Sequence, residues 1–520
     1  MARLAMFLFG VLASFPAAAS DAPAPDASAL FSIHCAACHG GDRLGAIGPA
    51  LIPENLGRLK PSQTRRVVSE GRPATQMAGF AEVLTEPQIA AVVDMIYTPL
   101  PAIPDWGLAQ ITESWVVHND PDSLPEGPQH GADPLNLFTV VETGDHHVTI
   151  LDGDRFQPLA RFPTRFALHG GAKYSPDGRF VYLGSRDGWI SMFDLHGLTL
   201  VAEVRAGINM RNIAVAADGR TLMAANMLPH TLVAFDARTL KPIKIIEVTG
   251  KGGKSSRVSA VYTAAPRNSF IAALKDIPEI WEMSYEKNPK PVAQGFIHDY
   301  RAGKEEGYFD RGPFPVRRIK LDDYLDDFFF DQAYTNLVGA ARNAKNGQVV
   351  NLTVGRKVAD IALTGMPHLG SGITFEYRGA KVLATPHLKD AAISVIDMKT
   401  WKTVKRIDTL GPGFFMRSHE NTPYAWTDVF FGPHKDALHV IDKGTLEIVK
   451  TLRPAPGKTA AHVEFTRDGR YALVSIWEAD GAIVVYDAAT LEEVKRIPMN
   501  KPSGKYNVFN KITLSAGTSH

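Results

Sequence analysis

The sequence is poor in cysteine, has no surplus of charge of either sign, and beyond its first residues has no long apolar run. Only two cysteines occur in 520 residues. A disulfide scaffold is therefore excluded, and a spacing of three positions gives the two thiols one shared task. Lysine and arginine number 56 against 55 aspartates and glutamates, a formal net charge of +1. Nucleic-acid binding normally leaves a marked basic excess, so no nucleic-acid partner is expected. No segment after residue 20 approaches the ~20 apolar residues of a spanning helix, so no membrane span is expected. Disorder is excluded too, because 45% of residues are hydrophobic and 21% charged. A dinucleotide fingerprint is missing. Gly250-Lys251-Gly252-Gly253-Lys254-Ser255 fails the phosphate-loop spacing, since the first glycine would have to stand where Val248 is. It reads as a basic turn.

What is present begins with a targeting segment. Arg3, the apolar stretch Leu4 to Phe15 and the small residues Pro16 to Ser20 read as a secretory signal peptide over residues 1–20. The mature protein is then expected in the periplasm. Next comes Cys35-Ala36-Ala37-Cys38-His39, the attachment signature of one covalent haem c. The two thiols add to the haem vinyl groups and His39 ligates the iron. A redox pair would need a βαβ context, and a zinc site would need further ligands nearby; neither is evident. A helix with Leu30, Phe31 and Ile33 before the signature, and another opened by Thr85-Glu86-Pro87-Gln88 and carrying Ile89, Val92, Val93 and Ile96, give residues 29–106 the layout of a small all-α class-I cytochrome c domain. The loop Gly71 to Phe80 makes Met77 the expected second iron ligand, and His/Met ligation suits electron transfer.

From about Leu137 the pattern changes to short β runs separated by turns. Asp177-Gly178-Arg179 followed by a strand ending at Asp194 recurs as Asp218-Gly219-Arg220 to Asp236, and as Asp468-Gly469-Arg470 to Asp487. The strand-ending aspartates are 236 − 194 = 42 and 487 − 442 = 45 residues apart. That period marks a β-propeller, and residues 137–520 hold about eight such units. An all-β eight-bladed propeller is expected there. The charged, aromatic stretch Asp299 to Tyr334 breaks the rhythm and reads as an insertion. Among 17 histidines, His169, His368, His387, His419 and His462 fall in turn-like or strand-edge contexts. Taken singly, each reads more simply as a surface or satisfied core histidine.

Taken together, these motifs resemble the cytochrome cd1 nitrite reductase family. Leu168-His169-Gly170 before Asp177-Gly178-Arg179 resembles the blade carrying that family's proximal haem d1 histidine. Pro367-His368-Leu369-Gly370 resembles a second active-site segment, and Pro502 to Asn510 the C-terminal signature. The family's first nitrite-protonating histidine matches a position near Phe330-Asp331, where none stands. The resemblance is therefore better to the paralogous dihydro-haem d1 dehydrogenases, which also carry haem c. It implies oxidation of dihydro-haem d1 to haem d1, a propionate becoming an acrylate while electrons leave through haem c. It implies His368 on the d1 iron, and His462 and Tyr506 flanking the reacting side chain. Arg186, Arg211 and Lys505 are candidates for the pigment's carboxylates, with His169 beside them. The implied partners are the tetrapyrrole, a periplasmic electron acceptor and a cytochrome cd1 nitrite reductase receiving the product. Nitrite reduction and non-catalytic carriage of haem d1 remain open alternatives.

Overall fold

The computed structural model describes residues 25–46, 48–57, 59–72, 77–299, 304–341 and 346–514. The signal segment 1–20 lies outside them, as do residues 73–76 of the loop before Met77.

The first domain contains helices α1 (Ala27–His34), α2 (Ala36–His39), α3 (Pro53–Leu56), α4 (Pro61–Glu70) and α5 (Glu86–Ile96). Asp26 starts α1 by accepting the N–H groups of Ser28 and Ala29, both at 3.0 Å. Gln88 reaches back to the Thr85 N–H at 2.8 Å and fixes the start of α5. The spacing of α5 then serves two partners. Val92 and Ile96 pack with Phe31 and Leu56, while Ile89 and Val93 pack with Val68 and Leu84. Burying each such side chain is worth about 1.5–3 kcal/mol. A short helix, α6 (Leu108–Glu113), follows, and its Ile111 is buried in the core of the second domain.

Eight four-stranded antiparallel blades make up that second domain, one of them extended by the short strand Val116–Val117. We number the blades 1 to 7 from Lys173 onward. Blade 8 joins the earliest strands, Leu137–Glu142, His147–Asp152 and Pro158–Pro163, to the last, Pro502–Asn507. The pairs Phe138 with Asn507 and Val140 with Lys505 fix that register. The last strand thus closes the ring and leaves no open sheet edge at the seam. First strands of neighbouring blades touch one another, as Ala460–Phe465 touches both Met416–Ser418 and Pro502–Asn507. These strands ring the axis.

The interruption is smaller than the sequence suggested and lies earlier. The hairpin Val292–Asp299 with Lys304–Asp310 is the extra element. Val316–Lys320 returns as the outer strand of blade 3, and Asp327–Phe330 is the first strand of blade 4. The charges and aromatics of 311–334 thus belong to regular blade strands and their connections.

Candidate functional site

Strand direction alternates within each blade. The turn between second and third strands and the crossing to the next blade therefore emerge at the same end of the ring. That mouth collects residues far apart in sequence. His368 enters blade 5 there, and its Nδ1–H donates to the Phe414 carbonyl at 2.6 Å. Its ring lies 4.3 Å from that of Phe414, which also meets Phe415, Phe430 and Phe431. Phe415 stands 4.7 Å from His462, and His462 is 5.2 Å from Tyr506. Trp477 closes the aromatic wall against Phe430 at 4.9 Å. A flat, largely apolar ligand fits such a wall. No period in the sequence marks these aromatic residues, because they come from crossings and turns of different blades.

Across the mouth, His169 is held in the same manner. Its Nδ1–H donates to the Arg211 carbonyl at 2.8 Å, and its Nε2 accepts from Arg186 at 2.8 Å. Arg211 lies alongside at 3.3 Å. Gly171 lets this segment approach Tyr506: its φ is +75°, and a Cβ there would stand 3.2 Å from the phenol ring. Six of the expected residues, His169, Arg186, Arg211, His368, His462 and Tyr506, therefore occupy one end of the ring. Anchoring Nδ1 on a carbonyl is also how iron-ligating histidines are oriented.

Lys505 departs from expectation. It is 0% exposed, and its ammonium is held by the His462 carbonyl and by Ser475 Oγ. Neighbours on a strand point to opposite faces, so Lys505 bridges blades 7 and 8 while Tyr506 faces the other way. Phe330-Asp331 also departs. Asp331 ends the first strand of blade 4 and accepts the N–H groups of Thr335 and Asn336 at the far end of the ring. The mouth residue of that blade is Asp327, whose Oδ1 accepts from the Tyr262 hydroxyl at 2.8 Å. Phe330-Asp331 therefore lies away from the mouth. No histidine occurs on the crossing 321–327 either.

The electrostatics follow from burial. Burial holds His368 below the ordinary histidine range despite the Asp327 charge and the Phe414 carbonyl. His462 lies well below it, from burial and then from the cations Lys505 and Arg417. Its Nδ1 accepts the Lys505 N–H at 3.4 Å, so the neutral ring carries its proton on Nε2. Burial pushes the Tyr506 phenol up to about 12. At neutral pH His462 is uncharged and Tyr506 keeps its proton.

The first domain docks at the same end. Arg205 donates to the carbonyls of Leu44 at 2.6 Å and Gly45 at 3.3 Å. Asn209 donates to the Glu54 carbonyl at 3.0 Å. Trp106 covers the Arg205 guanidinium at 4.6 Å, and Ala50 and Ile52 pack on Ile208 and Leu228. Arg205 thus grips the loop after the Cys-x-x-Cys-His run. In that loop Pro49 accepts from His39 Nδ1 at 2.8 Å, and Gly48 lies so close to the imidazole that a Cβ would stand 2.8 Å away. Cys35 caps α2 and Cys38 lies within it, and burial keeps His39 neutral. This set fits a haem attached by two thioethers and ligated by an oriented neutral histidine. Met77 lies on the loop Gly71 to Phe80, its carbonyl accepting the Arg72 N–H at 2.9 Å.

Comparison with known proteins agrees with this architecture. The cytochrome D1 heme domain model matches residues 132–309 and 305–511, and the model of subunit III of cbb3-type cytochrome c oxidase matches residues 22–96. The chain is 54% identical over 518 residues to the dihydro-heme d1 dehydrogenase of Pseudomonas aeruginosa, covering 100% of both chains. It belongs to the dihydro-haem d1 dehydrogenase family. A solved structure titled dihydro-heme d1 dehydrogenase NirN in complex with DHE superimposes with a TM-score of 0.88 at 55% identity, covering 94% of this chain and 99% of that one. A nitrite reductase of Stutzerimonas stutzeri is 25% identical, with 96% of each chain covered. That match spans both domains of this chain. Among the described residues, no helix is long and apolar enough to cross a membrane.

Proposed function

We propose that this protein oxidises dihydro-haem d1 to haem d1. The change is –CH2–CH2–COO⁻ to –CH=CH–COO⁻, releasing two protons and two electrons. One observation supports this reading most: in a chain that aligns with the dehydrogenase over 518 residues, the domain with the haem c signature docks on the propeller end where His368, His462 and Tyr506 converge. Cys35, Cys38, His39 and Met77 hold haem c, which supplies a one-electron carrier when bound. Met77→Ala is expected to abolish the sulfur-to-iron absorption band and lower the haem c potential, read by redox titration. An unchanged band and potential would assign the ligand elsewhere.

His368 presents Nε2 to the tetrapyrrole iron, its other nitrogen being fixed on Phe414. The neutral imidazole of His462 is available as proton acceptor at neutral pH through Nδ1, which gives up the long 3.4 Å bond from the Lys505 N–H. The cations Lys505 and Arg417 hold its basicity down, and carboxylates of the bound pigment offset them, so the substrate itself raises the proton affinity of its base. Tyr506 orients the reacting side chain through its hydroxyl. Arg186 and Arg211 receive pigment carboxylates. Arg186 also donates to His169 Nε2 at 2.8 Å. Arg186→Gln is expected to weaken tetrapyrrole binding about tenfold, the effect of losing about 1.4 kcal/mol of charge-assisted bonding. Absorbance titration checks this, and parent affinity would overturn the role.

The amino-terminal segment and the family support a periplasmic reaction, with a periplasmic electron acceptor and product transfer to a cytochrome cd1 nitrite reductase. Purified protein given a reduced donor and nitrite is expected to consume little nitrite, and given an oxidised one-electron acceptor in a separate assay to convert dihydro-haem d1. Brisk nitrite consumption with an unaltered pigment would reverse the assignment.

A further inference from the structure

One buried carboxylate ties the two histidine segments of the mouth together. Asp428 is the last residue of the second strand of blade 6 and is 1% exposed. Its Oδ1 accepts the N–H groups of Phe414 at 2.7 Å and Phe415 at 3.1 Å, and its Oδ2 accepts that of His462 at 3.3 Å. Phe414 passes the hold onward, since its carbonyl takes the His368 Nδ1–H. The other anchor lies under tension. His462 has a φ of +52°, in a bulge where the register shifts between Ala461 and Glu464. A left-handed non-glycine residue is strained, and persists only where its surroundings over-determine it. The carboxylate on the His462 amide supplies that constraint.

We propose that Asp428 is a positioning residue for the dehydrogenation, one carboxylate fixing the separation and orientation of His368 and His462 through Phe414-Phe415 and the His462 amide. The inference rests on the roles given to those two histidines above. A carboxylate is suited because all three of its partners are donors, and it is acceptor-only. An asparagine would turn its NH2 group toward one of them. The groups facing Asp428 are the Phe414 and Phe415 amides from the crossing into blade 6, the His462 amide from blade 7 and the Lys505 ammonium from blade 8. Burial raises the carboxyl to about 6 against all four. As pH falls through that value, an O–H replaces one acceptor and an anchor is lost.

The test compares Asp428→Asn holoprotein with the parent, using dihydro-haem d1. Because a misplacement of about 1 Å costs about 10²-fold, kcat is expected to fall about a hundredfold with KM within about threefold. The ligand-field bands of the bound tetrapyrrole iron should shift as the His368 anchor loosens. In a His462→Ala background the same substitution should lower kcat by no more than about threefold, because residues acting through one another are not additive. Parent kcat and bands in Asp428→Asn, or a full additional hundredfold loss in the double variant, would overturn the proposal. If Asp428→Asn does not accumulate folded, the parent decides. A kcat limb centred near 6 with KM flat supports the role, and a kcat flat from about pH 5 to about pH 8 overturns it. Failure of the parent itself to convert the pigment would instead sink the proposed function, and the band shift would still report on Asp428.

Discussion

Tyr506→Phe and His462→Ala are expected to bind the tetrapyrrole and yet accumulate it unconverted, with turnover lowered about 10²-fold where the orienting phenol is lost and about 10²–10⁴-fold where the positioned base is removed. Binding survives because the wall of Phe414, Phe415, Phe430 and Trp477 and the His368 anchor are untouched by either change. The two variants should differ in pH dependence. Tyr506 keeps its proton over the whole neutral range, so Tyr506→Phe should leave the profile of the residual rate unchanged. Chromatography of the extracted pigment measures the effect. Parent rates in both variants would remove these residues from the chemistry.

The second large effect concerns the first domain. A Cys35→Ser, Cys38→Ser double variant, made in a host that matures cytochromes c, is expected to lose the single covalent haem by mass and to lose sustained turnover. Dihydro-haem d1 should still bind, because the mouth of the propeller is built without either cysteine. Retained turnover in that variant would show that the electrons leave by another route. Arg205 offers a finer probe, since it grips Leu44 and Gly45 from the propeller side.

How much of this was legible in the sequence depended on how locally each feature is encoded. Haem attachment needs two thiols and a histidine within five residues, so Cys35 to His39 was readable outright. The eight blades were readable because each repeats one turn-and-strand unit at a nearly fixed spacing. The hairpin at 292–310 misled because blade 3 is interrupted before its outer strand, Val316–Lys320. Its charge pattern then looked like one long insertion. Lys505 looked like a ligand-facing cation because sequence proximity to Tyr506 conceals the alternation of a strand. Asp428 was invisible for another reason. Its partners lie 14, 13 and 34 residues away, joined only when blades 6 and 7 meet. Its neighbour Phe430 carries no motif either.

The central claim is tested most directly by incubating the purified holoprotein with dihydro-haem d1 and an excess one-electron acceptor, then weighing the extracted pigment and counting the electrons delivered. The account predicts a pigment lighter by two hydrogens, with two electrons passed to the acceptor for each molecule converted. A pigment of unchanged mass recovered from haem-loaded, folded protein would contradict it.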